Sequence, residues 1–331
     1  MAETFSLIAI EEHFLSDHLP DDGNNPAKPP GIRDGTKVDL REIGEYRLKQ
    51  MKDNSIGFTV ISHMAANASA SVCHSINSEL YKRIKPYPTH FAAFGILSMY
   101  DPLVAATELR RCVNDLKFAG ALIPTHLPDG TFYDTEKYHA VFEAAQQLDV
   151  PIYLHPTTPS GPVKEQLFDG PYHEDVATAL SQWCGGFHYI NGLHLLRLFA
   201  SGLFDNFPRL KIIIGHTGEF LPFMLDRIVG FTKLWPNRET RKRGFDEVWN
   251  SNIWITTSGS YDLSPMATVL RVTKIERVIF SVDYPMGSNV KGREFMENLR
   301  KSDLVTEAQW ERIAFRNAQE LLGLGNIQSF K

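Results

Sequence analysis

A (β/α)₈ barrel is the fold this sequence predicts, and three observations predict it. Eight short apolar, β-branched runs recur along the chain. Amphipathic segments of helical period separate them, the pattern of a parallel sheet covered on both faces. The chain has 331 residues, enough for a barrel of roughly 250 residues plus insertions. A doubly wound sheet shares the alternation, but eight βα units in one chain favour closure. No internal repeat and no linker divides the sequence, so residues 1–331 read as one domain.

The strand candidates are "SLIAIEEH" (6–13), "FTVISHM" (58–64), "FAAFGIL" (91–97) and "AGALIPT" (119–125). Then come "PIYLHP" (151–156), "LKIIIGH" (210–216), "IWITTSG" (253–259) and "RVIFSVDYP" (277–285). Helical patterns lie between them at 101–116, 134–149 and 219–234. In the first of these, Leu103, Ala106, Leu109 and Val113 recur at helical spacing behind Asp101, an expected N-cap. The surplus length reads as three insertions. Residues 15–38, rich in Pro, Gly, Asn and Asp, form a long loop after the first strand; 157–186 follow the fifth and 235–250 the sixth.

A net charge of −5 and a pI near 6.2 argue against a nucleic-acid or anionic-membrane surface. No apolar run approaches the roughly 20 residues of a membrane helix, and no signal peptide is evident. Cys73, Cys112 and Cys184 are odd in number and widely spaced. That excludes a disulfide framework and points to a reducing, cytoplasmic setting.

The polar residues gather at strand ends. Strand one ends in Glu11-Glu12-His13, strand two in His63, strand five in His155, strand six in His216 and strand eight in Asp283. In a barrel those ends converge on one mouth, where the active site lies. Alternation sends Glu11 and His13 to one face and Glu12 to the other, where Glu12 is expected to pair with a helix residue. Mixed carboxylate and imidazole ligands suit one zinc or manganese ion, with magnesium preferring fewer nitrogens. Glu219, three residues after His216, is placed to bond its imidazole and fix its tautomer.

With these residues the chain resembles the amidohydrolase superfamily, in particular its metal-dependent nonoxidative decarboxylases of hydroxybenzoates. The resemblance rests on "IAIEEHF", "FAAFGILSMYDP", "ELRRCVNDLKFAGAL", "LDVPIYLHP", "ASGLFDNFPRLKIIIGHTGEFLPFMLDRI", "NIWITTSG" and "RVIFSVDYP". It implies metal ligands at Glu11, His13, His155 and Asp283, and an acid–base pair at His216 and Glu219. It implies an arginine, Arg227, turned toward the site; His63, which ends strand two where similar sequences vary, and Phe187 are expected as further substrate contacts. Strand four ends "IPTH" without a lysine, which implies a single ion. Ile123-Pro124 and Met286-Gly287 depart from the Val-Asn and Phe-Glu of similar sequences.

Removing CO₂ from a phenolic acid requires a Lewis acid for its oxygens and a proton donor over the ring carbon. Asp283 is the donor the resemblance implies, its proton retained if burial raises its pKa. The expected partner is a small aromatic carboxylic acid, with no organic cofactor. The family implies a homodimer or homotetramer, with 235–250 among its contacts. Two other readings share these residues: a metal-dependent lactone or amide hydrolase, and a non-enzymatic metal-binding barrel.

Overall fold

A computed structural model describes residues 6–19, 34–236 and 241–325. Its strands are β1 (Leu7–Phe14), β2 (Ile56–His63), β3 (Phe91–Ile96), β4 (Gly120–Pro124), β5 (Pro151–His155), β6 (Lys211–Ile214), β7 (Ile253–Thr256) and β8 (Val278–Ile279). Neighbours pair in parallel in sequence order. The ends meet through an isolated bridge between Glu12 and Tyr284. There the His13 amide donates to the Tyr284 carbonyl at 2.7 Å and the Asp283 amide to the Glu11 carbonyl at 2.9 Å. The result is the (β/α)₈ barrel that the alternation predicts.

Two apolar layers build it. Ile8, Ile10, Phe58, Val60, Phe94, Leu122, Tyr153, Ile213 and Ile279 cluster together, as expected of a filled barrel interior rather than a pore. A larger cluster, including Ala9, Phe14, Ile61, Ile123, Leu154 and Ile214, packs with helix residues such as Leu109 and Phe142. Strand residues thus divide by alternation between the two clusters. Helices start where short polar side chains supply caps. Asp101 accepts from the Leu103 and Val104 amides and opens the helix Pro102–Asn114, as the sequence predicts.

The register between β1 and β2 shifts twice, once where β2 carries an extra residue between Ile56 and Phe58 and once within β1. Ala9 pairs with Thr59 but Glu12 with Ile61, so β1 carries an extra residue there. The Ile10 and Glu11 amides both donate to the Ser281 hydroxyl, at 3.1 and 2.6 Å. Two consecutive amides turned to one side are the mark of a β-bulge. Ile8 and Ile10 lie in the inner cluster, so unbroken alternation would send Glu12 inward and Glu11 and His13 outward. The bulge reverses this.

Three expectations change. The segment 15–38 is not loop throughout, because a helix begins at Asp34; residues 20–33 lie outside the described residues. The segment after β5 contains the helices Gly161–Leu167 and Glu174–Ser181, and 235–250 runs into the helix Phe245–Asn252. The eighth strand is a ladder of only two residues. Beyond it, Phe280 donates to the Ile313 carbonyl, and the Val282 and Tyr284 amides turn to the Glu12 carboxylate at 3.2 and 3.3 Å. Among the described residues no helix is long and apolar enough to cross a membrane.

Ser281→Ala would leave two buried amides without their acceptor. The unfolding free energy of the metal-free protein should fall by on the order of 1–3 kcal/mol, measured by urea denaturation. Unchanged stability would show that these amides find other partners.

Candidate active site

A cavity of 1470 Å³ opens where the C-terminal strand ends meet. Glu11, His13, His155 and Asp283 each place one ligand atom so that all four lie within 4.8 Å of one another. His13 Nε2 is 3.0 Å from Asp283 Oδ1, and His155 Nε2 is 3.5 Å from Glu11 Oε1.

In Glu11, His13 and His155 the other polar atom is tied back to the chain. Glu11 Oε2 accepts from the hydroxyls of Thr256, at 2.7 Å, and Ser258. His13 Nδ1 meets Ser62 Oγ at 3.1 Å, and His155 Nδ1 donates to the Pro156 carbonyl at 2.9 Å. The four atoms that face one another, Glu11 Oε1, His13 Nε2, His155 Nε2 and Asp283 Oδ1, are buried and have no hydrogen-bond partner. Outer bonds that aim unpartnered inner atoms at one point are what a metal site requires. Burial pushes the Glu11 carboxyl up, so its anion wants a neighbouring cation. Burial also holds the His155 imidazole down at about 3, in the neutral form a metal binds. The residues present fit a single divalent ion. Close approach is possible because residue 215 is glycine: a Cβ there would stand 2.7 Å from Glu11 Oε1.

Glu12 does more than face a helix residue. Besides Arg47, on the helix Glu45–Asp53, it meets Ser281 Oγ and the amides that flank Asp283. Burial raises its carboxyl to about 8, against the pull of the Arg47 guanidinium. Arg47 in turn donates to the His13 carbonyl at 2.7 Å and lies 5.0 Å over the Tyr284 ring. Asp283 sits at φ 68, and His216, Thr217 and Glu219 at φ 53, 55 and 59. Left-handed backbone at four non-glycine residues stores strain that the surrounding bonds hold in place.

The expected pair of His216 and Glu219 is present, Nδ1 to Oε1 at 3.4 Å. His216 Nε2 lies 3.7 Å from both Glu11 Oε1 and Asp283 Oδ2. Burial opposes a charge on His216, but Glu11, Glu219 and Asp283 raise its pKa well above the usual imidazole value. Burial pushes Glu219 up too, yet His216 and His188 bring it down to about 2. Asp283 departs from the expectation that burial would keep it protonated. Burial pushes it up, but the neighbouring His13 and His216 imidazoles outweigh burial, and its carboxyl is held below the usual range. Of these groups, His216 is the one whose neighbours favour its protonated form.

Of the expected substrate contacts, Phe187 lines the cavity. His63 does not: it is buried behind the wall, bonded to the Met64 carbonyl at 2.7 Å, and burial lowers its pKa to about 4. Its strand neighbour Ser62 is the one that reaches the site. Arg227 is exposed on the helix Leu221–Thr232, its guanidinium 4.6 Å from the Phe231 ring, and it does not line the cavity. One residue escapes a reading of strand ends. His188 comes from the first turn of the helix Gly186–Ala200, and its Nδ1 lies 2.6 Å from Glu219 Oε2. Its one local signal is the Gly185-Gly186 entry, where a Cβ on Gly186 would meet the Ser181 carbonyl at 2.6 Å.

Residues 42–324 match a family model described as amidohydrolase. The chain belongs to the amidohydrolase family. It is 43% identical over 325 residues to decarboxylase orsB of Emericella nidulans, covering 96% of each chain. It superposes on 2,6-dihydroxybenzoate decarboxylase in complex with 2,6-dihydroxybenzoate, with a TM-score of 0.84, 31% identity and coverage of 97% and 99%. It also superposes on a dihydroxybenzoic acid decarboxylase from Polaromonas sp. JS666 holding manganese and 2-nitroresorcinol. That match has a TM-score of 0.84, 30% identity and coverage of 97% and 98%.

The charges on Glu219 and His216 have a pH signature in metal-free protein. Glu219 is depressed from 4.5, so its contribution is present above that value and lost as pH falls toward about 2. His216 is raised from 6.5, so its contribution is full below that value and is lost only at higher pH. The stability gap between the parent and Glu219→Gln should therefore be widest between 4.5 and 6.5 and narrow on acidification. Chemical denaturation across pH would reveal it; a gap that grows toward pH 3 would refute the charge assignment.

Proposed function

We propose that this chain is a metal-dependent decarboxylase that removes CO₂ nonoxidatively from a hydroxybenzoic acid. One observation carries the reading: four unpartnered ligand atoms meet in a buried pocket beside a histidine–glutamate pair. The decarboxylase relatives support it. Glu11, His13, His155 and Asp283 are the residues that would hold the ion. Two oxygens with two imidazole nitrogens suit manganese or zinc, and manganese is bound in the Polaromonas enzyme. When bound, the ion supplies a Lewis acid for the phenolate and carboxylate oxygens of the substrate.

The chain does the rest. Phe187 gives the ring an aromatic wall. His216 stores a proton 3.7 Å from Asp283 Oδ2, and Glu219 keeps it charged. Asp283, ionised at rest, takes that proton and delivers it to the ring carbon that bears the carboxylate. A C–H bond forms there, the C–C bond breaks, its electron pair restores the aromatic ring, and CO₂ departs. One proton from solvent then restores His216.

A second copy of the chain supplies the quaternary structure. Ten of the 17 large hydrophobic side chains exposed among the described residues fall between Leu167 and Leu234, including Trp183, Tyr189, Phe223 and Phe231. Those among them that do not line the cavity, such as Leu167, Val176, Leu180 and Phe231, are the candidates for a contact between subunits. The three free thiols support a reducing, cytoplasmic setting.

Demetallated protein should release no CO₂ from a panel of hydroxybenzoates and recover on addition of manganese, with one ion per chain by metal analysis. Full activity in metal-free protein would sink the reading. Asp283→Asn, assayed with its metal content measured, should turn over on the order of 10²–10⁴-fold more slowly. A loaded variant at the parent rate would move the donor to His216. Light scattering should find a dimer or tetramer at micromolar concentration, and an active monomer would contradict the subunit contact.

A further inference from the structure

One carboxylate serves two imidazoles in this cavity. Glu219 Oε1 meets His216 and accepts from Asn191 Nδ2 at 2.9 Å, while Oε2 meets His188 at 2.6 Å. The rings of His188 and His216 are 4.4 Å apart. Only His216 touches the proposed ligands. His188 has a 22% exposed side chain on the cavity wall, and its ring stacks on Phe187 at 4.4 Å and 25°.

This geometry fixes the tautomer. His188 Nδ1 faces a carboxylate oxygen, Glu219 Oε2, at 2.6 Å, so Nδ1 is the donor there and Nε2 is the nitrogen left to meet a ligand. An imidazole whose far nitrogen is oriented by a buried carboxylate is the arrangement of a general base. The proton path through His216 and Asp283 uses none of this.

The reaction has a place for such a base. Protonating the ring carbon requires electron density on it, and a ring hydroxyl supplies most as a phenolate. Hydroxyls ortho or para to the carboxylate feed that carbon; a meta hydroxyl does not. Glu11, His13, His155 and Asp283 would hold an ion that supplies a Lewis acid for the hydroxyl beside the carboxylate, and a second hydroxyl would be left to the protein. Resting on the decarboxylase reading, we propose that His188 is a catalytic base for a second ring hydroxyl, one ortho or para to the carboxylate. The O–H bond breaks and an N–H bond forms at Nε2, placing the negative charge on the ring. Once the C–H bond has formed and CO₂ has left, the same proton returns to the oxygen. His188 ends neutral, and the net proton still enters through Asp283. The preferred substrates are therefore 2,4- or 2,6-dihydroxybenzoates over 2-hydroxy- and 2,5-dihydroxybenzoate.

The test uses full-length, manganese-loaded protein and two substitutions. His188→Gln keeps a donor to Glu219 but cannot accept a proton; His188→Ala leaves room for added imidazole. The parent should favour 2,4- or 2,6-dihydroxybenzoate over 2-hydroxybenzoate in kcat/KM. Both variants should lose that preference by on the order of 10²-fold, and imidazole should restore it in His188→Ala. An equal loss on every substrate, or a preference that survives with metal bound, overturns the assignment. A second readout needs no turnover: bound 2-nitroresorcinol should show the absorption of its dianion in the parent and of its monoanion in His188→Gln. Identical spectra overturn the proposal. If the parent decarboxylates none of the acids, the decarboxylase reading falls, and the spectra still decide the role of His188.

Discussion

Two adjacent amides on one hydroxyl hold this site together. The Ile10 and Glu11 N–H groups cannot both face a neighbouring strand in regular β-structure, and Ser281 Oγ receives both. That bulge lets β1 fill the barrel interior with Ile8 and Ile10 and still present Glu11 and His13 to the mouth. Without the extra residue one set would be misdirected, because a slip of one position sends every side chain to the opposite face. Packing of the core and geometry of the site conflict in a regular strand, and one irregularity resolves both.

The same region shows how charge and strain support each other. Glu12 fastens the amides on both sides of Asp283, and Asp283 adopts a left-handed backbone between them. Arg47 offsets the burial of Glu12 while bonding the His13 carbonyl. Two residues that face away from the cavity thus decide where two facing residues stand. Burying two such ionisable groups contributes little net stability; their effect here is positional.

The barrel was legible in the sequence because eight apolar runs and their helical spacers leave few alternatives. The four converging groups were legible because they end strands, where a barrel gathers its polar residues. What stayed hidden was non-periodic. The bulge depends on Ser281, 271 residues from Ile10, and no local pattern announces it. His188 sits in a helix turn and meets Glu219 only through the fold. His63 ends its strand like the others, yet Ser62 is the residue turned toward His13. Strand eight was overestimated because "RVIFSVDYP" has strand composition throughout, while its amides bond to Ile313 and Glu12 instead of β7. Arg227 has the right place in sequence but lies on the solvent side of its helix.

The seam has a consequence for biosynthesis. Glu11 leaves the ribosome 270 residues ahead of its partner Ser281, and His13 likewise far ahead of Asp283. Until the final strand emerges, β1 lacks one neighbour, its bulge lacks its acceptor, and three of the four converging groups lack the fourth. Contacts this distant in sequence form late and slowly. The nascent chain therefore carries no four-ligand pocket until Asp283 has emerged. Closure of the barrel and assembly of the pocket become a single event.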